Sequence, residues 1–112
     1  MQLDLLLDIQ RKVLGGYIGA EEMHNPTLLE LGISESLFDN TTHRALARAC
    51  IILTKDDIPI TFLTLEDFLQ KSNVLKNKSF ADEFLIVMCE TSISERSFIQ
   101  YKKMIQEHKM SI

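Results

Sequence analysis

The stretch IPITFLTLEDFL, Ile58 to Leu69, decides the fold, because it reads either as an extended strand or as the lead-in and first turns of a helix. Pro59 has no amide hydrogen for a sheet ladder and pushes Ile58 away from helical geometry, so "DIPI" is expected to be extended without being a central strand. Thr64 stands three residues before Asp67, an approximation to a capping box in which the threonine oxygen accepts from a free amide at the helix start. Leu63 before that cap and Phe68 after it fall at positions suited to an apolar staple. The spacing predicts a helix from Leu65 to about Lys71 with an extended approach.

Outward from this stretch, the rest of the chain reads as helix and loop. From Thr42 to Leu53, the apolar Leu46, Ala49, Cys50 and Leu53 recur at helical spacing, Arg44, Arg48 and Lys55 mark an exposed side, and "TKDD" closes the element. Asn25 followed by Pro26 is a cap and first-turn pair, so "NPTLLEL" predicts a short helix ending at Gly32. Leu6, Ile9, Val13 and Tyr17, flanked by Leu3, Leu14 and Ile18, predict an amphipathic helix from Leu3 to Ile18. Gly15, Gly16 and Gly19 cluster at its far end, which implies either a close approach of another backbone or the end of the helix. Beyond the polar "KSNVLKNKS", Ser79 and Asp82 repeat the cap arrangement. "FADEFLIVMCE" suits a buried helix or a buried strand, and its cap and length favour the helix. From Ser94 to about Met110, Phe98, Tyr101, Ile105 and His108 share one side, beside Met104 and Ile112. The expected fold class is all-α, a compact orthogonal helical bundle of about six helices with a long C-terminal helix and no internal repeat.

Composition agrees with one domain over residues 1–112. The chain has 112 residues, 46% hydrophobic and 25% charged, the balance of a single globular unit. Its net charge of −4 argues against affinity built on neutralising phosphates. Cys50 and Cys89 lie in apolar surroundings without the spacing of a disulfide scaffold, and read as buried free thiols. "LDLLLDI" carries Asp4 and Asp8 and has no basic start or cleavage site, so it is not read as a signal peptide. No run approaches the ~18 apolar residues of a spanning helix. A soluble, cytoplasmic protein is expected, with no membrane association.

Local catalytic signatures are weak. His24, His43, His108, Cys50 and Cys89 form no close ligand pair, so no metal site is expected. "LGGYIG" lacks the lysine of a phosphate loop and follows a helix, and no nucleophile elbow occurs. Asp56/Asp57 and Glu21/Glu22 read as solvated turn residues. "LLELGISESLFDNTTHRALAR" has the order of a helix-turn-helix, the basis of an alternative reading as a small DNA-binding regulator. Its recognition helix would begin Ser34-Glu35 and contain Asp39, a poor start for a reader of base edges.

Taken in order, "VLGGYI" at Val13 to Ile18, Phe38 followed by His43-Arg44, "IPI" at Ile58 to Ile60 and "TLEDFL" at Thr64 to Leu69 resemble the N-terminal domain of DnaB-type bacterial replicative DNA helicases. The resemblance covers nearly the whole chain, and "FIQYKKMIQEHKMSI" looks like that family's helix leading toward a hairpin. It implies a globular part over 1–92 and a helix over 93–112 leading toward a hairpin or linker. The chain departs from the family in having Asp8-Ile9-Gln10 before its V-L-G, Thr61 after "IPI" and Asp39 after Phe38. The resemblance implies a non-catalytic interaction module that pairs with itself, forms a tier of the helicase ring and contacts primase or a loader. ATP and magnesium would belong to a separate ATPase domain, with no cofactor here. A stand-alone modulator that binds helicase or primase, or the helicase-binding domain of primase, is a variant within this class. Gly15, Gly16, Phe38, His43, Arg44, Pro59, Thr64 and Asp67 are expected to serve packing and capping. The expected partner or self-association surface is Phe98, Tyr101, Met104, Ile105 and Ile112 on the terminal helix.

Overall fold

IPITFLTLEDFL is extended and then helical, but its helix begins three residues earlier than the sequence predicts. In the computed structural model, which describes residues 3–20 and 27–110, the helix runs Phe62–Lys71. Thr61 is the N-cap: its hydroxyl accepts from the Thr64 amide at 3.1 Å, while Thr64 Oγ1 accepts from the Thr61 amide at 2.9 Å. Thr64 therefore closes the capping box from inside the helix, and its hydroxyl also donates to the Pro59 carbonyl at 2.7 Å. Asp67, expected to complete the cap, pairs with Lys71 on the surface. The staple positions fall to Ile60 and Leu65, both buried, whereas Leu63 is 73% exposed. Two threonines three apart can cap reciprocally, and this arrangement satisfies both exposed amides.

The described residues form five α-helices and no strand: α1 Leu3–Gly19, α2 Thr41–Lys55, α3 Phe62–Lys71, α4 Lys78–Met88 and α5 Glu95–Met110, with a single 3-10 turn at Glu35–Leu37. The all-α class holds with one helix fewer than expected. Asn25 and Pro26 lie outside the described residues. The remainder of the predicted short helix is a hydrogen-bonded turn over 28–32 that ends at Gly32, whose φ of +79° suits glycine. The helix-turn-helix pattern is not realised, because Glu35–Leu37 makes only one tight turn before α2 starts behind its own cap, Asn40.

Asn40 accepts from the amides of Thr42 and His43. Asn77, rather than Ser79 with Asp82, caps α4 by accepting from Phe80. The ambiguous apolar run is thus helical, and Ser94 accepts from the Ser97 amide at the start of α5. α2 and α3 end at left-handed residues, Asp57 and Asn73, which turn the chain back so that the next amide reaches into the last helical turn.

The core joins Ile9, Val13, Leu14 and Tyr17 of α1 to Leu46 and Cys50 of α2, Leu65 and Leu69 of α3, Phe84 and Val87 of α4, and Phe98 and Ile105 of α5. α1 is the central element and packs most extensively on α5. The division at residue 92 is therefore not a boundary of packing, since α5 is sealed against α1. The glycine cluster makes part of this seal possible. A Cβ on Gly15 would lie 2.7 Å from Glu90 Cβ and from the Val87 carbonyl oxygen, one on Gly16 would strike the Ile93 side chain, and one on Gly19 would collide with the Thr91 carbonyl. The glycines of "VLGGYIG" let the connection from α4 to α5 lie directly on α1.

Among the described residues no helix is long and apolar enough to cross a membrane. Cys50 is buried, and burial pushes its thiol up to about 12. Cys89, expected to be buried, is exposed because it follows the last turn of α4.

Candidate functional site

Two polar constellations stand out, one enclosed and one open. In the enclosed one, Glu83 of α4 receives two hydrogen bonds from Arg11 of α1, Nε to Oε2 and Nη2 to Oε1, both 2.7 Å. His43 of α2 places Nε2 2.7 Å from the same Oε2, and its Nδ1 lies 2.8 Å from Gln10 Oε1. The planar guanidinium matches both carboxylate oxygens, and one acidic side chain thereby joins three helices. Arg11 holds the Glu83 carboxyl below the usual carboxylate range, with help from His43 and against partial burial. Burial pulls His43 below its ordinary value, which outweighs the attraction of Glu83. A neutral His43 that donates from Nε2 to Glu83 has a bare Nδ1, which the amide group of Gln10 satisfies when its nitrogen faces the ring. Phe38 meets the His43 ring edge-on at a centroid distance of 6.3 Å. His43 has no exposed surface, so this ring cannot meet a substrate.

The open constellation lies between α2 and α3. A half-open groove of about 610 Å³ has Phe68, Leu69, Ala45 and Val74 as its apolar lining and Arg44 and Arg48 along its α2 side. The two arginines project one turn apart. Arg48 is held by Glu35 through two hydrogen bonds of 3.0 and 3.1 Å, and the same contact holds Glu35 below the ordinary carboxylate range. Arg44 is exposed and has no carboxylate within ion-pair distance among the described residues. Such a groove can receive an apolar side chain and a carboxylate together. Among the described residues no three His, Cys, Asp or Glu side chains gather as a metal-binding group.

The structure separates the residues that the sequence grouped as a partner surface. Phe98 and Ile105 are core residues at 1% and 0% exposure, and Tyr101 and Met104 are half-buried against the core. α5 packs chiefly on α1, so these side chains are covered by the chain's own core. Ile112 lies outside the described residues, while the apolar side chains that α5 exposes are Ile99 and Met110. Of the motif residues, Gly15, Gly16, Phe38 and His43 are interior, Thr64 and Pro59 share the start of α3, and Arg44 alone enters the groove. The sequence reading missed Gln10, Arg11 and Glu83 as a unit, because partners 72 residues apart leave no local spacing signal. The i,i+4 spacing of Arg44 and Arg48 was visible, but α3 as the opposite wall was not. Comparison with protein-family models, curated proteins and solved structures finds no match to this chain.

Proposed function

We propose that this chain is a non-catalytic protein-interaction module of a DnaB-type replicative DNA helicase, serving ring assembly and contact with primase or a loader during DNA replication. The observation that carries the reading is the order of four motifs, "VLGGYI", Phe38 with His43-Arg44, "IPI" and "TLEDFL", along an all-helical chain. Each motif has a physical task in such a module. The glycines admit a neighbouring segment, Phe38 and His43 fill the interior, and the proline and threonines set the start of α3. The groove supports an interaction role, because beside Glu35 and Arg48 it joins Arg44, which has no carboxylate within ion-pair distance among the described residues, to apolar surface. ATP and magnesium are assigned to a separate ATPase domain of the parent protein.

Isothermal titration of the chain with the helicase-binding domain of a bacterial primase tests the reading, with micromolar binding expected. Absence of binding to both primase and loader, together with strictly monomeric sedimentation at high concentration, would rule it out. A reading frame that continues through a helical hairpin into a phosphate-loop ATPase is the expected genetic context.

A further inference from the structure

A second cavity, of about 410 Å³, lies where the starts of α2 and α4 meet, and it shares Thr41 and Val74 with the α2–α3 groove. Its polar lining is Thr41 and Thr42 from the first turn of α2, Asn77 and Ser79 from the start of α4, and Asn73 from the turn after α3. Val74 and Phe80 supply the apolar part, and no carboxylate lines it. Thr42 is only 7% exposed, yet its hydroxyl makes no hydrogen bond among the described residues; its backbone amide is the group that binds Asn40. Every fully enclosed side-chain nitrogen or oxygen among the described residues has a partner, so the Thr42 hydroxyl opens on the cavity it lines. Asn40 binds the amides of Thr42 and His43, and Asn77 binds that of Phe80, which leaves the first-turn amides of Thr41 and Ser79 unpaired among the described residues. The Asn77 side-chain oxygen is thereby occupied, and its amide nitrogen is left to donate. The cavity is thus bordered by donors at the positive ends of two helices. Asp39, just before α2, is paired with Lys109, Glu35 is paired with Arg48 on the groove side, and the exposed Asp82 lies a turn along α4, outside the lining.

We propose that this cavity binds a phosphate monoester, with phosphoryl oxygens accepting from the Thr42 and Ser79 hydroxyls and from the free amides of Thr41 and Ser79, and with the ester group against Val74 and Phe80. Donors stand on two different helices, so the ligand must present acceptors in more than one direction. A tetrahedral phosphoryl group does this, whereas a planar carboxylate offers only two oxygens. A recessed site admits a terminal phosphate more readily than a diester backbone, and the chain's net charge of −4 gives no basic surface for a nucleic acid. The apolar wall of Val74 and Phe80 favours an esterified phosphate over the free ion, because it removes apolar ligand surface from water. The site is separate from the motifs that carry the proposed replication role, and its test does not depend on that role.

Amide NMR spectra of the full chain, titrated at constant ionic strength with inorganic phosphate and separately with phenyl phosphate, test the site. Saturable shifts are expected at Thr41, Thr42, Ser79 and Phe80, with millimolar affinity for phosphate and tighter binding of phenyl phosphate. Thr42→Val keeps the shape of the side chain and removes a hydroxyl that has no partner in the fold, so the thermal melt should be unchanged while both ligands bind about tenfold more weakly, the loss of one hydrogen bond to a charged group. Ser79→Ala, at an exposed position, repeats the test without touching the interior and should weaken binding in the same direction. No saturable shift at the two helix starts, or binding that either variant leaves unchanged, overturns the proposal. Equal affinity for the two probes overturns the ester as ligand in favour of free phosphate.

Discussion

The α1–α4–α5 side of the molecule and the α2–α3 groove spend similar residue types in opposite ways. On the first side, Arg11 is committed to Glu83 with two short hydrogen bonds, and glycines let the α4–α5 connection touch α1. On the second, Arg44 is exposed and unpaired among the described residues, above an apolar floor. Arg11 is half-buried, and removing its partner Glu83 would leave its charge, and the fully buried His43, without the carboxylate that satisfies them. The open arginine makes no ion pair among the described residues and contributes little to folding. The two faces thus differ in how fully their charged side chains are held by the fold.

The largest expected effect comes from cutting the enclosed network. Glu83→Ala leaves Arg11 and His43 facing an unfilled site and is expected to destabilise the fold by about 3 kcal/mol in denaturant unfolding. A loss no larger than that of a surface substitution would erase the contrast between the faces. Gly15→Ala comes next. Alanine favours a helix by about 1 kcal/mol over glycine, but its Cβ would sit 2.7 Å from the Val87 carbonyl oxygen, so backbone must move. A net loss of about 2 kcal/mol is expected, read in the same unfolding curves.

Acid should reproduce part of the Glu83→Ala effect. His43 has a folded pKa below its ordinary 6.5, so as pH falls through 6.5 the unfolded chain takes up the proton first and stability declines until the buried ring itself titrates. Glu83, held below 4.5, extends the loss into more acidic solution, since its stabilisation is present above 4.5 and disappears as the folded carboxyl is protonated. Melting temperatures should therefore fall between neutral pH and about pH 5, and His43→Gln should flatten that part of the profile. The smallest effect belongs to the open face. Arg44→Ala should change unfolding free energy by less than about 0.5 kcal/mol, and a larger loss would mean that the groove arginine serves the fold after all.

The outcome at α3 teaches where a sequence pattern stops being sufficient. IPITFLTLEDFL contains two overlapping cap patterns, Thr61 with Thr64 and Thr64 with Asp67, and both obey the same spacing rule. The choice fell to the first because it buries Ile60 and Leu65, while the second would have used Leu63, which points to solvent. The terminal helix fails in the reverse direction. Its apolar stripe was legible, but a stripe does not say what covers it, and Phe98 and Ile105 are covered by the chain's own core.

The sequence by itself determined the class of the fold, because helical periodicity, caps and the proline at position 59 act over a few residues and are written in neighbouring positions. It also marked Gly15, Gly16 and Gly19 as the place where either another backbone comes close or the helix ends, and the structure has both, with Val87 and Glu90 backbone on Gly15 and the helix ending at Gly19 under Thr91. Tertiary structure alone decided that Glu83 would bind Arg11 and His43, and that Arg44 and Arg48 would face a groove. These choices depend on which helix faces meet across dozens of residues, and geometry at that range is set by packing the whole core at once.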